Sequence, residues 1–166
     1  MNAEVSARAR LAALLVFSAA MGWLEGVVVV YIRGLVGIGR DQGMPAAAEV
    51  MRRFSSLPWF LPTEQTREAA TIAMLAAVGW LAARRWRGRA GAFLFCFGVW
   101  DITYYVALHS LLRWPPSLTA MDLLFLIPPH PWWYQPVWVP IAISCGFIAL
   151  GLALFSRPDG ARSRRP

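Results

Sequence analysis

Three carboxylates, Glu25, Glu68 and Asp101, stand within or at the edge of long apolar runs. In the stretch GVWDITYYVALH, Gly98 to His109, the residues Asp101, Tyr105 and His109 follow at i, i+4 and i+8. A helix therefore carries all three down one face. An ionisable group placed in hydrocarbon costs roughly 2.5 to 3.5 kcal/mol on insertion scales, so it calls for a partner or a purpose. Three chemistries suit these residue types. The carboxylates can accept hydrogen bonds from Arg33, Arg67, Tyr104, Tyr105 or tryptophan N–H groups and do no more than fix helix register. They would repel one another if all were ionised, so they can instead take up a proton, a cation or a small polar molecule. Joined by a histidine, they could hold a metal, as carboxylate bundles do.

The metal reading is the weakest of the three. Such bundles use Glu-x-x-His pairs, and neither His109 nor His130 stands at that spacing from a glutamate. His109 falls at a helix end, where a hydrogen-bonded interfacial histidine is commoner than a ligand. Ser110 beside it points elsewhere on the helix, so no Ser/His/Asp arrangement emerges. A bis-histidine haem needs paired intramembrane histidines. No phosphate-binding loop, dinucleotide fingerprint or zincin motif is present. Cys96 and Cys145 lack CxxC partners, which excludes a dithiol site or zinc ribbon by spacing and leaves small buried apolar residues. The sequence thus implies neither metal nor cofactor, and it leans away from an enzyme.

The elements that must position these groups are membrane spans. Of 166 residues 58% are hydrophobic, well above the share of soluble domains, and the mean hydropathy is +0.49. One domain over residues 1–166 is expected, with spans near 11–36, 64–83, 90–112 and 136–156. The start of the chain has small residues at Ser18 and Ala20 resembling a signal-peptide cleavage site, yet the apolar run continues through Val27 to Val30, which fits a retained anchor. Ser18, Gly22 and Gly26 form a small-xxx-small seam that admits a close neighbour, and Glu25 lies on the same side. Glu68, Thr71, Leu75 and Gly79 give the second span a similar, weaker seam.

Between the spans lie two unequal connections on one side. Pro45 can start a short helix through Phe54 whose stripe, Val50, Phe54 and Leu57, suits a helix lying on the membrane surface, with Arg52 and Arg53 off the stripe. Trp59 and Phe60 suit the interface belt. Seven prolines between Trp114 and Pro140 exclude a long helix there. Thr119 to Asp122 resembles a capping box before MDLLFLI, predicting a short interfacial or re-entrant helix that Pro128 and Pro129 end.

All 16 basic residues are arginine, against nine acidic ones. They flank apolar runs rather than forming one patch, so they read as topology determinants and lipid contacts, not as a nucleic-acid surface. Four spans put both termini on one side. The N-terminal arm, the Arg84 to Arg89 loop and the tail carry ten arginines there, against six opposite, which predicts cytoplasmic termini. With ~1.5 Å of rise per residue, Glu25, Glu68 and Tyr105 lie about 21 to 22 Å from the cytoplasmic end of their spans and Asp101 about 16 Å. The prediction is that Glu25, Arg67, Glu68, Asp101 and Tyr105 converge in the outer half of the bilayer, with Arg33, Tyr104, His109 and Asp122 as secondary candidates.

The segments LEGVVVVYIR (Leu24 to Arg33), REAAT (Arg67 to Thr71), FGVWDITYY (Phe97 to Tyr105) and LLFLIP (Leu123 to Pro128) together resemble a family of small bacterial multi-pass integral membrane proteins with no assigned activity. The resemblance covers most of the chain and implies that Glu25, Glu68 and Asp101 belong to a shared design. Small multidrug transporters offer an analogy, with four spans and a glutamate in the first. This chain departs from them in its long first external loop and in Glu68 and Asp101.

The expectation is therefore an all-α, four-transmembrane-helix bundle in a bacterial inner membrane, with short interfacial or re-entrant helices on its outer face. Its partners are the lipid bilayer and, for some roles, a second copy or a larger membrane complex. Sequence alone favours a structural cluster or an accessory subunit. A proton-, cation- or small-molecule-binding transporter-like protein is the first alternative and a carboxylate metal-dependent enzyme the second.

Overall fold

A computed structural model describes residues 6–40 and 42–155. The described residues form five helices, α1 (Ala7–Leu35), α2 (Ala47–Ser55), α3 (Phe60–Ala82), α4 (Trp86–Leu112) and α5 (Trp138–Phe155), with a two-stranded antiparallel pairing, β1 (Met121–Leu123) with β2 (Tyr134–Pro136). The fold is all-helical but for that pairing. The arginine-rich tail expected after the last span lies outside the described residues.

Three helices, α1, α4 and α5, are long and apolar enough to cross a membrane. The sequence reading expected four. α3 has the length, with 23 residues, but Glu64, Arg67 and Glu68 load its first half with polar groups and dilute its hydropathy.

α4 is the hub, packed along α1 on one side, α5 on another and less extensively against α3. Small residues make this possible, because apolar side chains gain little from meeting each other rather than lipid and backbones must approach closely instead. A Cβ on Gly22 would strike the Trp100 carbonyl and the Thr103 side chain of α4, and one on Gly26 would lie 2.6 Å from the Ala107 Cβ. On the α5 side, Gly151 abuts Phe95, and a Cβ there would lie 2.6 Å from its nitrogen. Gly79 of α3 lies against Phe93 in the same way. The seams expected on the first and second spans thus both face α4.

α1 begins at Ser6, whose hydroxyl accepts a hydrogen bond from the Ala9 amide, and it ends before Gly37, whose φ of +71° suits glycine. α2 forms where expected, and its apolar stripe faces protein. Val50 and Phe54, 1% and 7% exposed, are buried against Val36, Ile38, Phe60 and Leu126. The apolar stripe is consumed by the protein itself. On its outer face Arg52 and Arg53 clasp Glu49 at 2.7–2.8 Å and hold its carboxyl down at about 2. Phe60 belongs to that same core at 2% exposure rather than to the interface belt, whereas Trp59 is exposed.

The helix expected over MDLLFLI is absent, and the segment is extended. Its would-be capping residue, Asp122, accepts instead from the Tyr105 hydroxyl at 2.9 Å and from the Leu123 amide. Leu123 pairs with Tyr134, and the Leu124 and Leu126 amides reach Trp133 and Glu68. Partners from elsewhere in the chain replace those that a helix would have supplied.

The seams can be tested directly. Gly22→Val is expected to lower the thermal stability of purified protein by about 3 kcal/mol, the upper range for overpacking. Gly34→Ala, with nothing within 4 Å of the new methyl, should leave it unchanged or raise it by up to about 1 kcal/mol.

Candidate functional site

A cavity of about 240 Å³ opens between α1, α3, α4, α5 and the β1 segment. Glu25, Arg67, Glu68, Asp101 and Tyr105, the five residues expected to converge, all line it. So do Arg33, Tyr104 and Asp122 from the secondary set. His109 does not. It is exposed at the end of α4, with Nδ1 3.1 Å from the Pro115 carbonyl.

The polar groups form separate contacts around the void rather than one cluster. Arg67 sits between two carboxylates. Its Nη1 donates to Glu25 of α1, and its Nε donates to Glu64 of its own helix at 2.7 Å. α1 and α3 otherwise touch little, so this ion pair is a principal tie between them. Glu64 was missed in the sequence because it stands at the expected edge of a span. Its signal was the spacing, three residues before Arg67 and four before Glu68, which puts all three on one face.

Glu68 accepts the Leu126 amide on both oxygens, at 3.1 and 2.9 Å, while Gln65 donates to the Leu126 carbonyl at 3.0 Å. One turn of α3 thereby pins the extended segment as a wall of the cavity. Tyr105 pins the same segment through Asp122. Burial pushes the Asp122 carboxyl up to about 6, against the opposing pull of the Tyr105 hydroxyl, the Leu123 amide and the Arg33 charge.

Asp101 turns toward α5, where the Ser144 hydroxyl donates to its Oδ2 at 2.8 Å. Ser144 was also missed, since a serine in an apolar span reads as one more small residue. Arg33 is 2% exposed. Its Nη2 donates to the Gln42 carbonyl, and its guanidinium lies over the Trp114 ring at 5.2 Å. Its Nε and Nη1 have no hydrogen-bond partner among the described residues, nor does the indole N–H of Trp100, another cavity residue that the sequence reading did not single out.

Five carboxylates border the void, Glu25, Glu64, Glu68, Asp101 and Asp122, against two arginines, Arg33 and Arg67. The remaining walls are mainly aliphatic and aromatic. Among the described residues no three His, Cys, Asp or Glu side chains are grouped so as to hold a metal ion. Cys96 is buried in the α4 core and Cys145 faces outward from α5. The arrangement can bind and orient a molecule with a polar end, and its one hydroxyl–carboxylate contact across two helices, Ser144 to Asp101, has no histidine beside it among the described cavity residues. No protein family, curated protein or solved structure matches the chain.

The Arg67 clamp predicts a large penalty for its loss. Arg67→Gln leaves Glu25 and Glu64 without their cation and is expected to cost about 3 kcal/mol, the lower end for a broken buried pair, because the Arg67 side chain is 25% exposed. The triple variant Glu25→Gln, Glu64→Gln, Arg67→Gln should regain more than half of that loss in the same thermal or denaturant measurement. An Arg67→Gln protein as stable as the wild type would contradict the assignment.

Proposed function

We propose that the chain is a four-span protein of a bacterial inner membrane whose outer-half cavity binds a cation or a small polar molecule. α3 supplies the fourth span, its charged first half covered by α1 and by the extended segment. Four spans place both termini on one side, and the arginine bias makes that side the cytoplasm. The resemblance to small bacterial multi-pass membrane proteins agrees with this placement. The cavity then lies toward the outer leaflet, because the C-terminal half of α1 and the N-terminal halves of α3 and α5 line it.

The observation that carries the binding reading is the void itself. A polar cluster that served only to fix helix register would fill its own space, since interiors pack densely and buried polar groups seek each other. Here the polar groups are spread around a space of about 240 Å³. A dry cavity of roughly 150 Å³ is enough to hold benzene. The excess of three carboxylates over arginines, five less two, favours a positive occupant. A role confined to scaffolding or to an accessory subunit leaves the space and the charge imbalance without a use.

Asp101 is the carboxylate to alter, because Ser144 rather than an arginine is its partner among the described residues. In detergent-purified protein, protons, sodium, potassium and small amines are screened for a shift in thermal unfolding. At least one should stabilise the wild type in a concentration-dependent way. Asp101→Asn should remove that shift while leaving the ligand-free unfolding temperature within a few degrees. A lowered unfolding temperature with ligand response intact, or no response in either protein, would return the cluster to a structural role.

A further inference from the structure

We infer that the occupant is a compact organic cation, an ammonium carrying an apolar body, rather than an inorganic ion. This rests on the reading of the cavity as a binding site, and it follows from what the walls offer and what they lack. An inorganic cation leaving water needs several oxygen ligands around it. The carboxylates here are dispersed, with no group of three able to hold an ion among the described residues. An alkylammonium wears its own apolar shell, so one carboxylate nearby and apolar or aromatic walls are sufficient.

Those walls are present. Phe97 of α4 and Phe147 of α5 line the cavity with their ring centroids 5.6 Å apart, and Tyr104 borders it one turn from Asp101. Aromatic faces attract a cation within about 6 Å of the ring centroid. Asp101 supplies the counter-charge, held in place through its other oxygen by Ser144 and without an arginine to neutralise it among the described residues.

The size fits as well. About 240 Å³ exceeds the space that admits benzene but falls short of the usual range for drug-sized ligands. A single ring bearing a short ammonium arm is the appropriate scale.

The probe is benzyl-dimethyl-hydroxyethyl-ammonium, and its control is the neutral isostere with a quaternary carbon in place of nitrogen. Binding to the full chain in detergent is read by calorimetry and by thermal shift. The ammonium should bind at least roughly tenfold more tightly than the isostere, a difference of about 1.4 kcal/mol. Asp101→Asn should erase that preference, and Phe147→Leu should weaken the ammonium by about two- to fivefold, the range for one cation–π contact. If Asp101→Asn does not fold, the ammonium-to-isostere ratio in the wild type and the Phe147→Leu result decide the matter. Equal binding of the two compounds overturns the inference. So does a response to sodium, potassium or protons that Asp101→Asn abolishes while the ammonium is inert; that result leaves the binding reading standing. Silence from every ligand removes both.

Discussion

Arg67 holds two carboxylates from different helices, and the shape of the molecule depends on that contact. A guanidinium in a partly buried setting must be paired, and a planar fork can serve two acceptors at once. By reaching Glu25 on α1 while engaging Glu64 on α3, it joins two helices that otherwise touch little. Small residues at that contact would let the helices close together. A long side chain between them keeps them apart, and the space so preserved is continuous with the cavity.

The remaining walls follow from the same demand for satisfied polar groups. The connection after α4 is rich in proline and cannot form a helix of useful length, so its amides need partners from elsewhere. Glu68 takes the Leu126 amide, and Tyr105 with Asp122 anchors the other end of the segment. Within a membrane, irregular backbone is tolerable where protein surrounds it or a cavity lies beside it. The glycine seams set α1 and α5 close against α4, and the extended segment closes the side that the helices leave open.

Much of this was legible in the sequence because two simple periodicities were. The Ser18, Gly22, Gly26 seam and the i, i+4 step from Asp101 to Tyr105 have one reading on a helix, and both sets point inward. α2 was legible as an amphipathic helix but not its destination. A stripe such as Val50 and Phe54 serves equally against lipid or protein, and the aromatic core that covers it is assembled from distant segments. The strand at Met121 to Leu123 was misread because capping chemistry is local while the partners that won are 11 to 17 residues away. Glu64, Trp100 and Ser144 were missed for a related reason. Each becomes notable through a neighbour on another helix or through the void, and neither is written in local spacing. On the number of spans sequence and structure differ: four were expected, and three helices are long and apolar enough, since α3 has the length but is too polar in its first half.

The central claim is that a space reachable by small solutes borders α3 beside Asp101. Thr71 lines that space, whereas Leu75, one turn along the same helix, is packed in the core around α4. In a Cys96→Ala, Cys145→Ala background, the reaction rates of Thr71→Cys and Leu75→Cys with a small cationic thiol reagent compare the two environments within one fold. The account predicts that Thr71→Cys reacts at least roughly tenfold faster, because a residue lining an open cavity needs no local unfolding to be reached. Equal and slow reaction at both positions, rising together only on denaturation, would mean that the space is closed and that the polar groups serve packing alone.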